Sequence, residues 1–153
     1  MTTGPVIERA SRADLPGIVA LLADDDLGRG REDASPAALP RYEAAFAVLA
    51  ADPNQMPVVM RDGADIIGYL QITFIPGLSR QGMWRGLIES VRIDKRRRGQ
   101  KLGEALMRFA IQQCRARGCG LVQLTTDKTR HDAHRFYQRL GFVSSHDGMK
   151  LSI

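Results

Sequence analysis

The chain has 153 residues, with 22 Lys and Arg against 17 Asp and Glu for a net charge of +5, and only two cysteines. That length suits one domain with a sizeable core; no apolar run approaches the ~20 residues of a membrane span, and the N-terminus lacks a signal-peptide pattern, so a cytoplasmic protein is expected. Cys114 and Cys119 stand without a His/Cys cluster, which argues against a zinc site and for buried free thiols, and the positive charge favours an anionic partner.

Residues 6–10 read as a first strand. Asp14 is the predicted N-cap of a helix in which Pro16 is tolerated in the first turn and Leu15, Ile18, Val19 and Leu22 form an apolar stripe. Residues 24–33 are polar and contain glycine, hence a loop. Ser35-Pro36 offers a second cap-then-proline start. The helix that follows carries Tyr42, Phe46 and Leu49 on one face, with Pro40 expected to delay its beginning.

From residue 57 the period changes. Residues 57–60 and 66–75 read as strands joined by a hairpin turn at 61–65, and Pro76-Gly77 breaks the second. Residues 86–93 alternate and are rich in β-branched side chains, so they form another strand. Leu102, Ala105, Leu106, Phe109 and Ala110 then recur at helical spacing, with Glu104, Arg108, Gln112 and Arg115 opposite, until Gly118 ends the helix. Residues 121–126 are the next strand. In the last helix Ala133, Phe136, Tyr137 and Leu140 share a face, Gly141 is the C′ glycine, and Phe142 is expected to pack back on Phe136 or Tyr137. Val143 and residues 149–151 are expected to close the sheet as a short hairpin around Asp147-Gly148.

The organising stretch is Asp94-Lys95-Arg96-Arg97-Arg98-Gly99-Gln100-Lys101-Leu102-Gly103, a basic, glycine-containing turn between a strand and a helix. The first turn of a helix has unpaired N–H groups and a positive dipole end, glycines admit a close ligand, and arginines add charge-assisted bonds to phosphate oxygens. The stretch reads as a phosphate cradle, although neither a Walker A loop nor the dinucleotide Gly-x-Gly-x-x-Gly is present. A solvated basic turn and a nucleic-acid patch are the competing readings. The second is weakened because the arginines cluster at one turn without interleaved aromatics.

This stretch resembles the signature of the GNAT superfamily of N-acetyltransferases, Arg/Gln-x-x-Gly-x-Gly/Ala after a strand, here Arg98-Gly99-Gln100-Lys101-Leu102-Gly103 with Lys101 in place of the middle glycine. A second block, Asp132-Ala133-His134-Arg135-Phe136-Tyr137-Gln138-Arg139-Leu140-Gly141-Phe142, is similar to the family's later helix with its Phe-Tyr pair and Leu-Gly-Phe ending. The resemblance covers residues from about 58 onward. It implies a single-domain α/β GNAT-like fold over 1–153, with a mixed, mostly antiparallel sheet of about six or seven strands flanked by about four helices.

It also implies acetyl-CoA as cosubstrate, no metal, an amine acceptor of a small molecule or protein, and a possible homodimer. The cofactor residues carried over are Val91, Arg92 and Ile93 on the strand, and Arg98, Gly99, Gln100, Lys101, Leu102, Gly103 and Glu104 in the turn and first helical turn. Asp127 either joins them or caps a turn. The family's tyrosine corresponds to Tyr137, a general acid toward the departing thiolate; a phenol of pKa about 10 donates to a thiolate whose acid lies near 8.5 against a modest gradient. A core aromatic is the competing reading. An N–H such as that of Val91 is placed to meet the developing oxyanion.

A primary amine needs deprotonation, and Glu89 is the candidate base, on a strand side shared with Leu87 and Val91 where apolar neighbours would raise its pKa. An exposed, arginine-paired strand glutamate is the alternative; His131 and His134 are weaker candidates. Asp24, Asp25, Asp26, Glu32 and Asp33 suggest a cationic acceptor, or else a solvated acidic loop. Two other functions compete with the enzyme: a non-catalytic acyl-CoA-binding module, and a nucleic-acid binder using Lys95 to Arg98.

Overall fold

The computed structural model describes residues 4–153, which divide into two compact units, one ending at Gln123 and one spanning Leu124–Ile153. In chain order the first unit holds β1 (Val6–Arg9), α1 (Leu15–Ala23), α2 (Leu39–Ala51), β2 (Gln55–Asp62), β3 (Asp65–Ile75), the one-turn α3 (Ser79–Gly82), β4 (Trp84–Ile93), α4 (Leu102–Ala116) and β5 (Cys119–Gln123). The second holds α5 (His131–Arg139).

The sheet runs β1-β2-β3-β4-β5 in space as in sequence, antiparallel except for β4 and β5. That last pair is parallel because a whole helix, α4, returns the chain to the same end of the sheet. The two-residue turn Gly63-Ala64 closes the β2–β3 hairpin, with Gly63 at φ +59°. Alternation along the strands divides the core. Val59 and Tyr69 join Leu15, Ile18 and Leu21 of α1 and Phe46 of α2 in one apolar cluster. Helix α4, packed against β3, β4 and β5, buries Leu106, Met107, Ala110 and Cys114 completely. A side chain at Gly86 would place its Cβ 2.3 Å from the Cys114 sulfur, so only glycine lets α4 sit this close to β4. Burial pushes the Cys114 thiol up to about 12, while Cys119 is only half-buried; both are free.

Several expectations need correction. Asp14 does not cap forward: its carboxylate reaches back to accept from the Ser11 N–H at 2.7 Å and also receives Arg61. Helix α2 is not delayed by Pro40, because a 3-10 turn at Pro36–Ala38 leads into Leu39 and the proline falls in the first helical turn, where no N–H is needed. Strand β5 begins at Cys119 and stops at Gln123, not 126.

The closing hairpin does not form. No described residue beyond Arg139 is in a helix or strand, so the sheet has five strands rather than six or seven, and there are five helices where about four were expected. Val143, Met149, Leu151 and Ile153 stand exposed. Alternation and an Asp-Gly turn were not enough here, as an isolated two-stranded ribbon is marginal in water. The end of α5 does follow expectation: Gly141 takes φ +96°, Phe142 N–H donates to the Tyr137 carbonyl at 3.1 Å, and the Phe142 ring meets Tyr137 edge-on at 6.0 Å.

Candidate functional site

Strand β4 carries two irregularities that shape the site. Opposite β3, Tyr69 pairs with Arg92 and Gln71 with Glu89, so Leu70 alone faces both Ser90 and Val91. That is a β-bulge, which leaves a residue's backbone outside the ladder and bends the strand. Ser90 takes φ +57°, a left-handed conformation that a non-glycine residue adopts only at a cost. On the other side, β4 pairs with β5 only from Trp84 to Leu87. Beyond that point β4 runs alone along that edge, among the described residues, to Ile93. The edge of β4 away from β3 therefore lacks a strand partner past Leu87 among the described residues, while Arg92 and Ile93 stay in register with Tyr69 and Gly68 of β3 and the Val91 carbonyl accepts the Arg92 guanidinium at 3.0 Å.

The strand ends in the basic turn. Asp94, buried, accepts the Arg96 N–H at 2.9 Å and donates its own N–H to the Ile67 carbonyl at 2.8 Å, which ties the turn to β3. Three of the four cations in the run are already engaged. Lys95 reaches Asp24 at 3.2 Å, Arg96 binds Asp94 at 2.6 Å, and Arg97 pairs with Asp62. The Arg96 guanidinium is the main reason the Asp94 carboxyl lies below the usual carboxylate range. Arg98 and Lys101 are exposed and make no ion pair within the described residues.

Backbone conformation favours a ligand at the same place. Gly99 has φ +82° and open space where a Cβ would lie, and Lys101 takes φ +58° immediately before α4. Lys101 thus adopts the left-handed conformation for which a glycine is the usual choice, adding an ammonium at the mouth of the helix. Gln100 is exposed, whereas Leu102, Gly103 and Glu104 form the half-buried first turn of α4, whose N–H groups have no intrahelical acceptor. Glu104 bonds Arg108 at 2.7 Å along the helix. Left-handed Gly99, two unpaired cations and a helix N-terminus form a site that fits a pyrophosphate.

Glu89, expected among apolar neighbours, is exposed instead: Ile88 takes the buried face beside it, and the bulge after Glu89 changes the side that Val91 takes. It lies near enough to Tyr69 for its charge to act on that phenol: burial first, and Glu89 second, push Tyr69 up to about 12. Tyr69, Gln71 and Ser90 line a cavity of about 170 Å³ together with residues of α1 and α2, including Ile18, Leu22 and Phe46. None of these three was singled out from the sequence. The available signal was the consecutive polar pair Glu89-Ser90, which interrupts an otherwise alternating strand.

The acids of residues 24–33 are not an open cationic subsite. Asp25 pairs with Arg92 at 3.5 Å, both side chains only 12% exposed, and Asp24 holds Lys95. Asp26 faces Arg29, Glu32 accepts from the Tyr42 hydroxyl at 2.7 Å, and Asp33 accepts the Ser35 N–H at 2.9 Å. The loop is fastened by its charges to β4 and the basic turn.

In the second unit, Tyr137 is half-buried on α5 between Phe136, at 5.1 Å, and Phe142. Asp127 accepts from both the N–H and hydroxyl of Thr129, at 2.9 and 2.6 Å, closing the turn before α5; those bonds hold its carboxyl low. His134 Nε2 lies 3.0 Å from the Asp127 carbonyl, and His131 is exposed.

Residues 19–142 match the sequence model described as the acetyltransferase (GNAT) family. Aminoalkylphosphonate N-acetyltransferase of Salmonella typhimurium (strain LT2) is 33% identical over 106 residues, 69% of this chain and 68% of that protein. A crystal structure of a transcriptional regulator from Bacillus halodurans C-125 superposes with a TM-score of 0.92 at 44% identity, covering 98% of this chain and all of that one. A putative acetyltransferase from Agrobacterium tumefaciens str. C58 follows with a TM-score of 0.87 and 25% identity, over 97% and 99% of the two chains.

Proposed function

Since the chain belongs to the acetyltransferase (GNAT) family, whose members use acetyl-CoA, we propose that it is an acetyl-CoA-dependent N-acetyltransferase acting on a primary amine by direct attack on the thioester. The observation that carries this reading is the continuity of β4 with the turn. A strand that leaves β5 after Leu87 leads, through one 3-10 turn at Lys95–Arg97, to left-handed Gly99 and Lys101 at the head of α4. An extended pantetheine arm needs an unpaired strand edge; a pyrophosphate needs N–H groups and cations at its end.

Arg98, Lys101 and the backbone of Gly99, Gln100, Leu102, Gly103 and Glu104 hold the phosphates, and Val91, Arg92 and Ile93 align the arm. Bound acetyl-CoA supplies the acetyl thioester. The Val91 N–H donates to the carbonyl oxygen as it gains charge. Glu89, exposed beside the bulge, takes the amine proton directly or through water, and its exposure lets it return that proton to solvent. Tyr137 gives a proton to the leaving sulfur as the C–N bond forms and the C–S bond breaks. Asp127 supports the turn that leads into α5 and is not assigned a cofactor contact.

Similarity to the transcriptional regulator of Bacillus halodurans favours a second reading, an acyl-CoA-sensing module or a nucleic-acid contact without turnover. Against nucleic acid, three of the four cations between Lys95 and Arg98 are already held by carboxylates. Among the described residues no helix is long and apolar enough to cross a membrane. A homodimer remains part of the proposal, with the exposed Met149, Leu151 and Ile153 as apolar surface a second copy would cover; sedimentation velocity as a single monomer species at all concentrations would remove it.

Calorimetric titration with acetyl-CoA, repeated on Arg98→Ala, tests the cofactor site. Binding weakened about tenfold in the variant is expected for loss of a charge-assisted phosphate bond. No binding by the unmodified protein overturns both the enzyme and the sensor readings, and coenzyme A release with an amine distinguishes the two.

A further inference from the structure

We propose that the cavity between α1, α2 and the bulged part of the sheet is the acceptor pocket, and that it selects a primary amine bearing a compact, uncharged apolar group. The inference rests on the acetyltransferase reading for the reaction, but its substrate chemistry comes from the cavity itself. Its floor and walls are side chains such as Val19, Leu22, Phe46, Leu49 and Tyr69, and no Asp, Glu, Lys or Arg is among the lining residues. Burying a second charge there, a distal ammonium or a phosphonate, would strip its water and leave it without a counter-ion. An apolar group meets no such penalty. The volume of about 170 Å³ exceeds the about 150 Å³ apolar cavity that suffices for benzene.

Polar groups fix which end of the acceptor enters. The Tyr42 hydroxyl is spent on Glu32 and the Asp33 N–H, so Tyr42 offers its ring. The Tyr69 hydroxyl, unlike its backbone, has no hydrogen-bond partner among the described residues, and burial and the nearby Glu89 charge keep it protonated in the cavity wall. Gln71 donates to Gln55 at 3.1 Å, which leaves its carbonyl oxygen for an N–H. Tyr69, Gln71 and Ser90 therefore mark the amine end, beside the bulge and next to Val91, and the apolar body points toward α1 and α2. Tyr69 and Gln71 are positioning and specificity residues; Glu89 alone takes the proton.

The test compares coenzyme A release with benzylamine and 3-methylbutylamine against spermidine and 2-aminoethylphosphonate, alongside saturation-transfer NMR of benzylamine with and without coenzyme A. Apolar amines are expected to have kcat/KM about tenfold or more above the charged ones. Ala45→Phe, which fills the cavity from exposed α2, is expected to raise the benzylamine KM about tenfold and leave the acetyl-CoA KM unchanged. Ala44→Phe, the same bulk one position outside the lining, serves as the control for folding and should change neither. Turnover that prefers spermidine or the phosphonate and ignores Ala45→Phe overturns the pocket assignment while the enzyme reading stands. Benzylamine binding that Ala45→Phe abolishes, with no turnover of any amine, supports the pocket and overturns the enzyme reading. Neither binding nor turnover overturns both.

Discussion

Two charged segments of this protein look alike in sequence and differ in the folded molecule. The basic turn at 94–103 and the acidic loop at 24–33 each carry several like charges beside a glycine, and each reads as a binding surface. In the structure all five acids of the loop are occupied by Lys95, Arg92, Arg29, Tyr42 and the Ser35 N–H. The turn spends Lys95, Arg96 and Arg97 in the same way but keeps Arg98 and Lys101, and it adds a left-handed backbone and a helix N-terminus. A run of charge marks a site only when folding leaves part of it unpaired and directs backbone groups to the same point. The acidic loop anchors; the basic turn keeps two exposed cations beside a helix N-terminus.

The largest expected effect depends on neither segment. Tyr137→Phe should lower kcat about 100-fold in stopped-time acetylation assays while the acetyl-CoA Kd stays unchanged. Loss of cofactor binding along with turnover would instead make Tyr137 structural and shift the chemistry elsewhere.

Within the turn, Arg98→Ala and Arg96→Ala form a matched pair. The first should weaken acetyl-CoA about tenfold. Arg96, engaged with Asp94, should change affinity less than about twofold on the same calorimeter. Equal losses would mean that the whole run, rather than its free member, contacts the phosphates.

Asp25→Ala against Asp26→Ala applies the same logic to the loop. Removing Asp25 strips a carboxylate from the mostly buried Arg92 and should lower stability by roughly 1–3 kcal/mol in denaturant melts, short of the ~3–5 of a fully buried pair. Asp26, facing solvent, should have no measurable effect. Neither substitution should alter the acceptor KM; if Asp25→Ala or Asp26→Ala did so, the loop would regain a role in recognition.

The smallest expected effect concerns acid. Burial alone would raise the Asp14 carboxyl, but the Ser11 N–H and the Arg61 guanidinium outweigh it, and Arg96 acts on Asp94 to the same net result; both carboxyls are held below their ordinary value. A depressed folded-state pKa contributes stability above the unfolded value, near 3.9, that is lost as pH falls through the folded one. Melting temperatures should therefore fall below about pH 4, and Asp14→Asn should flatten that slope. An unchanged slope would mean that other carboxylates govern the acid limb.

Legibility in the sequence followed the range of the interaction. The β4–turn–α4 stretch was readable because the period switches from two to 3.6 within a few residues, and glycine marks the switch. The end of α5 was readable for the same reason, Gly141 and Phe142 lying within one turn of Tyr137. Asp14 was misread because a forward cap and a backward reach use the same residue. The closing hairpin was expected from alternation, which says nothing about whether another strand is there to receive it. Glu89 was expected in an apolar setting because perfect alternation was assumed across a bulge.

By itself, the sequence determined the order of the elements, the turn at the head of α4 and the family resemblance, because periodicity, caps and glycine conformations are set by neighbours along the chain. The tertiary structure decided which charges remain free, where β4 parts from β5, and that an uncharged cavity lies between α1, α2 and the bulge. Those outcomes turn on partners as distant as Asp24 and Lys95, 71 residues apart. Such pairings depend on how the strands register and the helices pack, and no local pattern encodes them.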